Sequence, residues 1–319
     1  IKENDEWWGK GYTEWVAVKN AKPLFKKHKQ PKTPLNSNYY DLSDETAQTW
    51  KWQASLAKSY GVDGFCIYHY WFKGKQLLQK PAEILLKNKS IDIDYCFCWA
   101  NESWTRAWYN IQKEVLMPQE YGNENDWIEH FNYLLDFFND TRYIKVDNKP
   151  VINIYRTINI SDLEKIEMKW NELAIKNGFN GIYFVSSLTG FKNDERDYLF
   201  DAYYCFEPGL TLNHKMNYFL KLLTKSGFLF KIMLNKIFYK KRIERIVNAN
   251  YIYKSMNKDC IKTNKPIYMG TFCTWDNTPR RGYKGLIYKN TTPKKFYLSL
   301  KKIKNKYNIN NTNDYFIYI

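Results

Sequence analysis

The sequence predicts an α/β fold, a (β/α)8 TIM-like barrel trimmed at both ends and carrying a helical insertion. Two observations predict it: short strand-like runs alternate with longer segments of helical period, and polar or aromatic side chains gather just past the strands. A third observation sets the domain count. No low-complexity linker and no solenoid-type repeat interrupts residues 1–319, so a single barrel domain with one insertion at 210–260 is the economical division.

The first clear strand is Gly64 to Tyr70. It follows an amphipathic stretch from Asp44 to Tyr60, for which Ser43 or Asp44 is the candidate N-cap and Gly61 the stop. Tyr95 to Ala100 is the second strand, with an apolar-rich helix after it from Trp127 to Phe138. Pro150 to Tyr155 is the third. A helix from Ser161 to Lys176 then leads into the fourth, Gly181 to Ser186, and Ala202 to Phe206 is the fifth. Pro266 to Phe272 and Tyr315 to Ile319 complete the series. The chain opens in a Trp-rich, loop-like segment and stops inside a strand, so a first strand is expected upstream of Ile1 and a last loop beyond Ile319. In the insertion, Phe228 to Leu234 and the surrounding lysines suit amphipathic helices, which either cover the barrel or a neighbouring subunit, or lie on a membrane surface.

Lys and Arg number 49 against 33 Asp and Glu, a formal charge of +16, but no zinc-finger, RNA-binding or basic-zipper spacing accompanies it. Nucleic acid is therefore not the expected partner. The 12 Trp, 27 Tyr and 19 Phe instead suit either an aromatic core or a cleft that stacks on sugar faces. Cys66, Cys96, Cys98, Cys205, Cys260 and Cys273 fall mostly in apolar runs and read as reduced, buried thiols, with no metal-ligand spacing and no cofactor motif. A polar first segment and the lack of a bilayer-length apolar run point to the cytoplasm, and to the inner membrane face as the surface for 210–260 if that segment lies on a membrane and does not cover the barrel or a subunit.

Barrel chemistry sits at the C-terminal ends of the strands, and these positions are well furnished. His69, Tyr70 and Trp71 end the first strand; Trp99, Asn101, Glu102, Trp104 and Arg106 follow the second; Tyr155 follows the third. Making or breaking a glycosidic bond passes through a cationic sugar, which calls for a carboxyl acid/base and a second carboxylate. Glu102 is the candidate for the first role. Trp99 and Trp104 would raise its pKa and Arg106 would lower it. Glu207 and Asp276 are the candidates for the second role, each just past a strand and each equally able to cap a helix or pair with an arginine. Asn101 is placed to orient a hydroxyl; His69, among aromatics, reads either as a satisfied core histidine or, exposed at the rim, as a donor to substrate; and Arg280 with Arg281 would bind a diphosphate or an acidic sugar, or form rim salt bridges. Trp275 adds an indole beside Asp276. At the N-terminus, Trp8, Glu14 and Trp15 belong to a segment that either roofs the barrel mouth or plugs it.

The stretches NDEWWGKGYTEW (4–15), KPLF (22–25), YYDLS (39–43), YGVDGFCIYHYWF (60–72), CWANESWTRAW (98–108) and WDNTPRR (275–281) resemble the WbsX-type glycosyltransferase family. That family is related to glycoside hydrolase family 99, the endo-α-mannosidase group. The resemblance implies a barrel and a role in assembling cell-surface polysaccharide such as lipopolysaccharide O-antigen, on a glycan or activated-sugar substrate. On the hydrolase side it implies metal-free action on α-mannosidic bonds, with Glu102 the corresponding carboxylate. A non-catalytic glycan-binding module is the alternative of another class. The family pattern also has a strand ahead of NDEWW and an Asn-Ala-Trp-Asn-Glu-Trp stretch after the last strand, so a further functional glutamate is expected beyond Ile319.

Overall fold

The computed structural model describes residues 2–105, 114–239 and 241–306. The strand expected at Tyr315 to Ile319 and the candidate Arg106 lie outside the described residues.

Six parallel strands form the body of the main sheet: β1 (Gly64–Phe72), β2 (Asp94–Trp99), β3 (Lys149–Ile154), β4 (Tyr183–Leu188), β5 (Ala202–Cys205) and β6 (Ile267–Tyr268). Each pairs with the next in chain order, and a short antiparallel strand, Lys75–Leu77, folds back on β1. Side chains of β2, β4 and β5 are buried almost without alternation, as in a parallel sheet covered on both faces. The architecture is thus α/β with a singly wound parallel sheet.

This sheet is strongly curled. Cys98 of β2 lies 3.5 Å from the Tyr204 hydroxyl of β5, past two intervening strands. Asn153 of β3 likewise lies 3.5 Å from Cys66 of β1, past β2. In a flat sheet β2 and β5 would stand about 14 Å apart. The face that carries Cys66, Cys98, Asn153 and Tyr204 is therefore concave, and the same alternation places Tyr68, Tyr70 and Tyr155 on it near the strands' C-terminal ends.

Helices α1 (Gln48–Ser59), α2 (Lys80–Lys87), α3 (Glu124–Phe138) and α4 (Leu163–Lys176) flank the strands. Helix α1 starts later than expected. Asp41 accepts from the Ser43 backbone and hydroxyl, and Asp44 accepts from the Thr46 backbone, so both carboxylates close local turns instead of capping the helix. Ala47, fully buried with φ 57°, stands at the N-cap. Helix α2 escaped the sequence pattern, although Pro81 in its first turn is a start signal. Asn123 and Asp126 form a capping box at the head of α3.

The sixth strand pairs over two residues only, shorter than the expected 266–272. A Cβ on Gly270 would stand 1.9 Å from the Cys205 carbonyl oxygen, so the chain passes β5 there too closely for any side chain. The 210–260 segment contributes α5 (Tyr218–Ile237) and the short helix Ala249–Ser255, but it is not wholly helical. Arg245–Asn248 is a strand, which joins Leu286–Lys289 and Trp275–Asp276 in a small second sheet. Val247, Ile252, Met256, Phe272 and Tyr288 make a separate small core between this sheet and its helices.

Candidate active site

Glu102 stands three residues past the end of β2, and its position is fixed through its neighbour. Asn101 is fully buried and clamps two strand ends together: its side-chain carbonyl accepts the Arg156 backbone N–H at 2.8 Å, and its amide donates to the Arg156 carbonyl at 2.9 Å. The same amide donates to the Tyr121 hydroxyl at 3.0 Å. Arg156, just past β3, is thereby held so that its guanidinium donates to Glu102 Oε1 at 3.0 Å and lies 4.0 Å above the Phe191 ring. The Glu102 side chain keeps 37% of its surface exposed, while that of Arg156 keeps 15%. The carboxylate therefore faces open space and the guanidinium backs it. Partial burial pushes the Glu102 carboxyl above its ordinary value, and the Arg156 charge and hydrogen bond pull against that rise.

A run of rings lines the rim beside this pair. Phe206 meets Tyr155 edge to face at 5.2 Å, Tyr155 meets Tyr68 at 6.4 Å, and Tyr68 meets Tyr70 at 6.4 Å. Tyr70 then meets Trp104 at 5.1 Å, and Trp104 meets Trp7 at 5.8 Å. Burial raises both Tyr70 and Tyr155 to about 12, so each phenol keeps its proton at neutral pH. Glu102 adds to the rise at Tyr155, and the Arg280 charge opposes the one at Tyr70. Among the described residues the indole N–H of Trp104 has no hydrogen-bond partner although it is buried, an unspent donor in the middle of the run.

The sequence model of the family described as glycosyltransferase WbsX matches residues 1–319. The chain belongs to the WbsX glycosyltransferase family. An uncharacterized protein, WxcX, is similar in two strains of Xanthomonas campestris pv. campestris: 31% identical over 299 residues in strain B100 and 30% in strain ATCC 33913. The match takes in 93% of this chain and 40% of WxcX, so the chain spans well under half the length of those relatives. Among solved structures, the GH99 endo-alpha-mannosidase from Bacteroides thetaiotaomicron is 14% identical with a TM-score of 0.47, covering 82% of this chain and 64% of that one. A glycoside hydrolase-like protein is also 14% identical with a TM-score of 0.47, covering 89% and 83%. At that level of likeness neither fixes an activity for this WbsX-family chain.

Several expected site residues of the WbsX-family chain lie elsewhere. Glu207 follows β5 as foreseen, but its side chain is wholly enclosed, 3.2 Å from Lys215 and accepting from both the backbone and the hydroxyl of Thr211. Burial pushes its carboxyl up, while Lys215 and Thr211 work in the opposite direction. As a second catalytic carboxylate it is corrected to a buried ion pair. Asp276 is similarly engaged. It accepts from His28 at 3.0 Å, from Gln30 at 2.9 Å and from the Thr278 backbone at 3.0 Å. Burial would raise its carboxyl, yet the Thr278 and His28 bonds hold it below the ordinary value. Its work is to fasten the N-terminal segment to the small sheet.

His69, Trp71 and Trp99 are core residues and not substrate contacts. Their alternation on β1 and β2 points them away from the concave face. His69 Nε2 is 2.8 Å from His130 Nε2, Trp71 stacks on His130 at 4.5 Å, and Trp99 meets the same imidazole edge to face. Trp8 packs on Tyr12, since its helical neighbour Trp7 takes the rim. Trp15 donates to the Tyr40 carbonyl and meets Tyr39 and Tyr40 edge on. Glu14 receives Arg280 at 2.9 and 3.2 Å, a two-pronged bridge from the N-terminal segment. Trp275 is half exposed on the small sheet. Glu102, Tyr155, Tyr70 and Trp104 thus share one rim, with Asn101 beneath them. Tyr68, Tyr121 and Phe191 were missed, and Arg156, a strand-end residue past Tyr155, was given no role. Arg156 and Tyr68 had a signal, one in its place past β3 and the other in its period-two spacing from Tyr70. Among the described residues no group of three or more His, Cys, Asp or Glu is placed to hold a metal ion.

The paired imidazoles make acid sensitivity testable. Burial holds His69 down to about 3 and His130 well below 6.5, so the native state refuses protons that the unfolded chain binds. Stability is then full above about pH 6.5 and falls as pH drops from there towards 3, by about 2 kcal/mol at pH 5 from His69, with His130 adding a loss in the same direction. Thermal melts at pH 7 and 5 should show a smaller loss for His130→Gln than for the unaltered protein. Equal losses would place the titrating groups elsewhere.

Proposed function

We propose that this WbsX-family chain acts at glycosidic bonds, with Glu102 as its central carboxyl. The observation that carries the reading is the Glu102–Arg156 pair: a partly exposed carboxyl with a raised pKa at a strand's C-terminal end, backed by a guanidinium and bordered by a run of rings. Rings of this kind stack on the apolar faces of sugars. The curled, singly wound sheet is the larger part of a closed (β/α)8 barrel in this reading, with 210–260 inserted in it.

Transfer onto a growing cell-surface polysaccharide, such as lipopolysaccharide O-antigen, is the reaction that the family name favours, from a glycan or an activated sugar. Hydrolysis of the endo-α-mannosidase type is the second reading. In either reading Glu102 is the group positioned to exchange a proton with the glycosidic oxygen. The same proposal takes 210–260 as the part that meets a membrane surface. Incubating the protein with α-linked manno-oligosaccharides, alone and with nucleotide sugars, separates the chemistries by mass: lengthened chains mean transfer and shortened chains mean hydrolysis. No change in either mixture would overturn both readings.

A further inference from the structure

Helix α5 is turned inside out relative to an ordinary surface helix. An amphipathic helix on a globular domain buries its apolar stripe and shows its polar face to water. Here the sole buried residue is Asn235, whose amide donates to the Arg242 carbonyl at 2.7 Å. On that same inner side Leu220 and Phe228 touch the small second core. Phe219, Leu222, Leu223, Leu229, Phe230 and Met233 recur at spacings of three, four and seven on the opposite side, with Ser226 between the two groups, and are all exposed, Leu229 to 68%. The apolar surface continues past the helix end through Phe238 and Tyr239. An outward face on which so many large apolar side chains are exposed, interrupted only by Ser226, marks a surface that meets something apolar.

Charge decides what covers it. Residues 208–243 contain no Asp or Glu, whereas Lys221, Lys225, Lys231, Lys236, Lys241 and Arg242 fall within them. Lys225 and Lys236 are exposed along the border of the apolar face. Beside the helix, a cleft of about 280 Å³ against the small sheet has Lys231 and Lys289 in its lining. Apolar rings and aliphatic chains pointing outward, bordered by cations alone, match an acyl layer under anionic headgroups. Among the described residues no helix is long and apolar enough to cross a membrane, so such a helix lies in the surface plane.

We infer that α5 docks this protein on an anionic lipid surface, with its outward face sunk among the acyl chains and its lysines against the headgroups. The inference rests on reading 210–260 as membrane-facing, and it is independent of the chemistry at Glu102. Co-sedimentation with vesicles of phosphatidylcholine plus phosphatidylglycerol, beside vesicles of phosphatidylcholine alone, tests it. The protein should pellet with the anionic vesicles, be released by high salt, and bind about tenfold more weakly as the double variant Leu229→Ser, Phe230→Ser. Both positions are exposed, so circular dichroism should show an unchanged fold. The variant Glu102→Gln should pellet like the unaltered protein, which separates this result from the glycosidic assay. Failure of the unaltered protein to pellet with either vesicle overturns the membrane reading of 210–260 as a whole. Pelleting that survives the double substitution overturns the role of α5 alone. A dimer in light scattering that the double variant dissolves, without vesicle binding, would mean that a second copy covers the face.

Discussion

Glu102→Gln should lower kcat by about a hundredfold to ten-thousandfold while leaving glycan affinity within a few-fold, the span associated with loss of a positioned proton donor. The substitution is well suited to the geometry. Glutamine keeps an acceptor for the Arg156 guanidinium at 3.0 Å and keeps the volume under the rim, so the Asn101 clamp is undisturbed. What disappears is the titrating proton. A companion variant reads the electrostatics: Arg156 opposes the burial-driven rise at Glu102, so Arg156→Gln should carry the basic limb of the kcat/KM profile to higher pH. Full turnover by Glu102→Gln would remove this residue from the chemistry. Intact binding in a protein that never turns over glycan would identify a binding module.

Lys215→Met should cost about 3–5 kcal/mol of stability, read as a shift in the urea midpoint, because it leaves the enclosed Glu207 carboxylate without its cation. Lys215 is anchored at both ends of its charge, donating also to the Met256 carbonyl at 2.9 Å, so the pair ties the region after β5 to the small second core. Adding Glu207→Gln to Lys215→Met should restore much of the loss, since the isolated charge is the costly element. A single variant whose midpoint hardly moves would show that Thr211, through its bonds at 3.0 and 2.9 Å, already satisfies the carboxylate.

The sequence located the strands well where they are long, buried and aromatic or β-branched. The first five expected runs fall within two residues of the observed β1 to β5 at every end, and Glu102 and Tyr155 stand past strand ends as the parallel order requires. Those features are local: hydrophobic run length and turn residues encode them directly. Family membership was equally legible, because WANESWTR and WDNTPRR are contiguous strings.

Tertiary structure alone decided which strand-end residues face the rim and which pack in the core. His69 and Tyr70 are adjacent in the chain, yet one sits in the core against His130 and the other on the rim against Trp104, since the side an alternating strand turns inward depends on how the sheet curls. Glu207 and Asp276 look like Glu102 in sequence. Their partners, Lys215 in one case and His28 with Gln30 in the other, are brought in by the fold, the latter from nearly 250 residues away. Helix α5 makes the limit plain: periodicity shows that a helix has an apolar face, but only its contacts with the second core reveal that this face points outward.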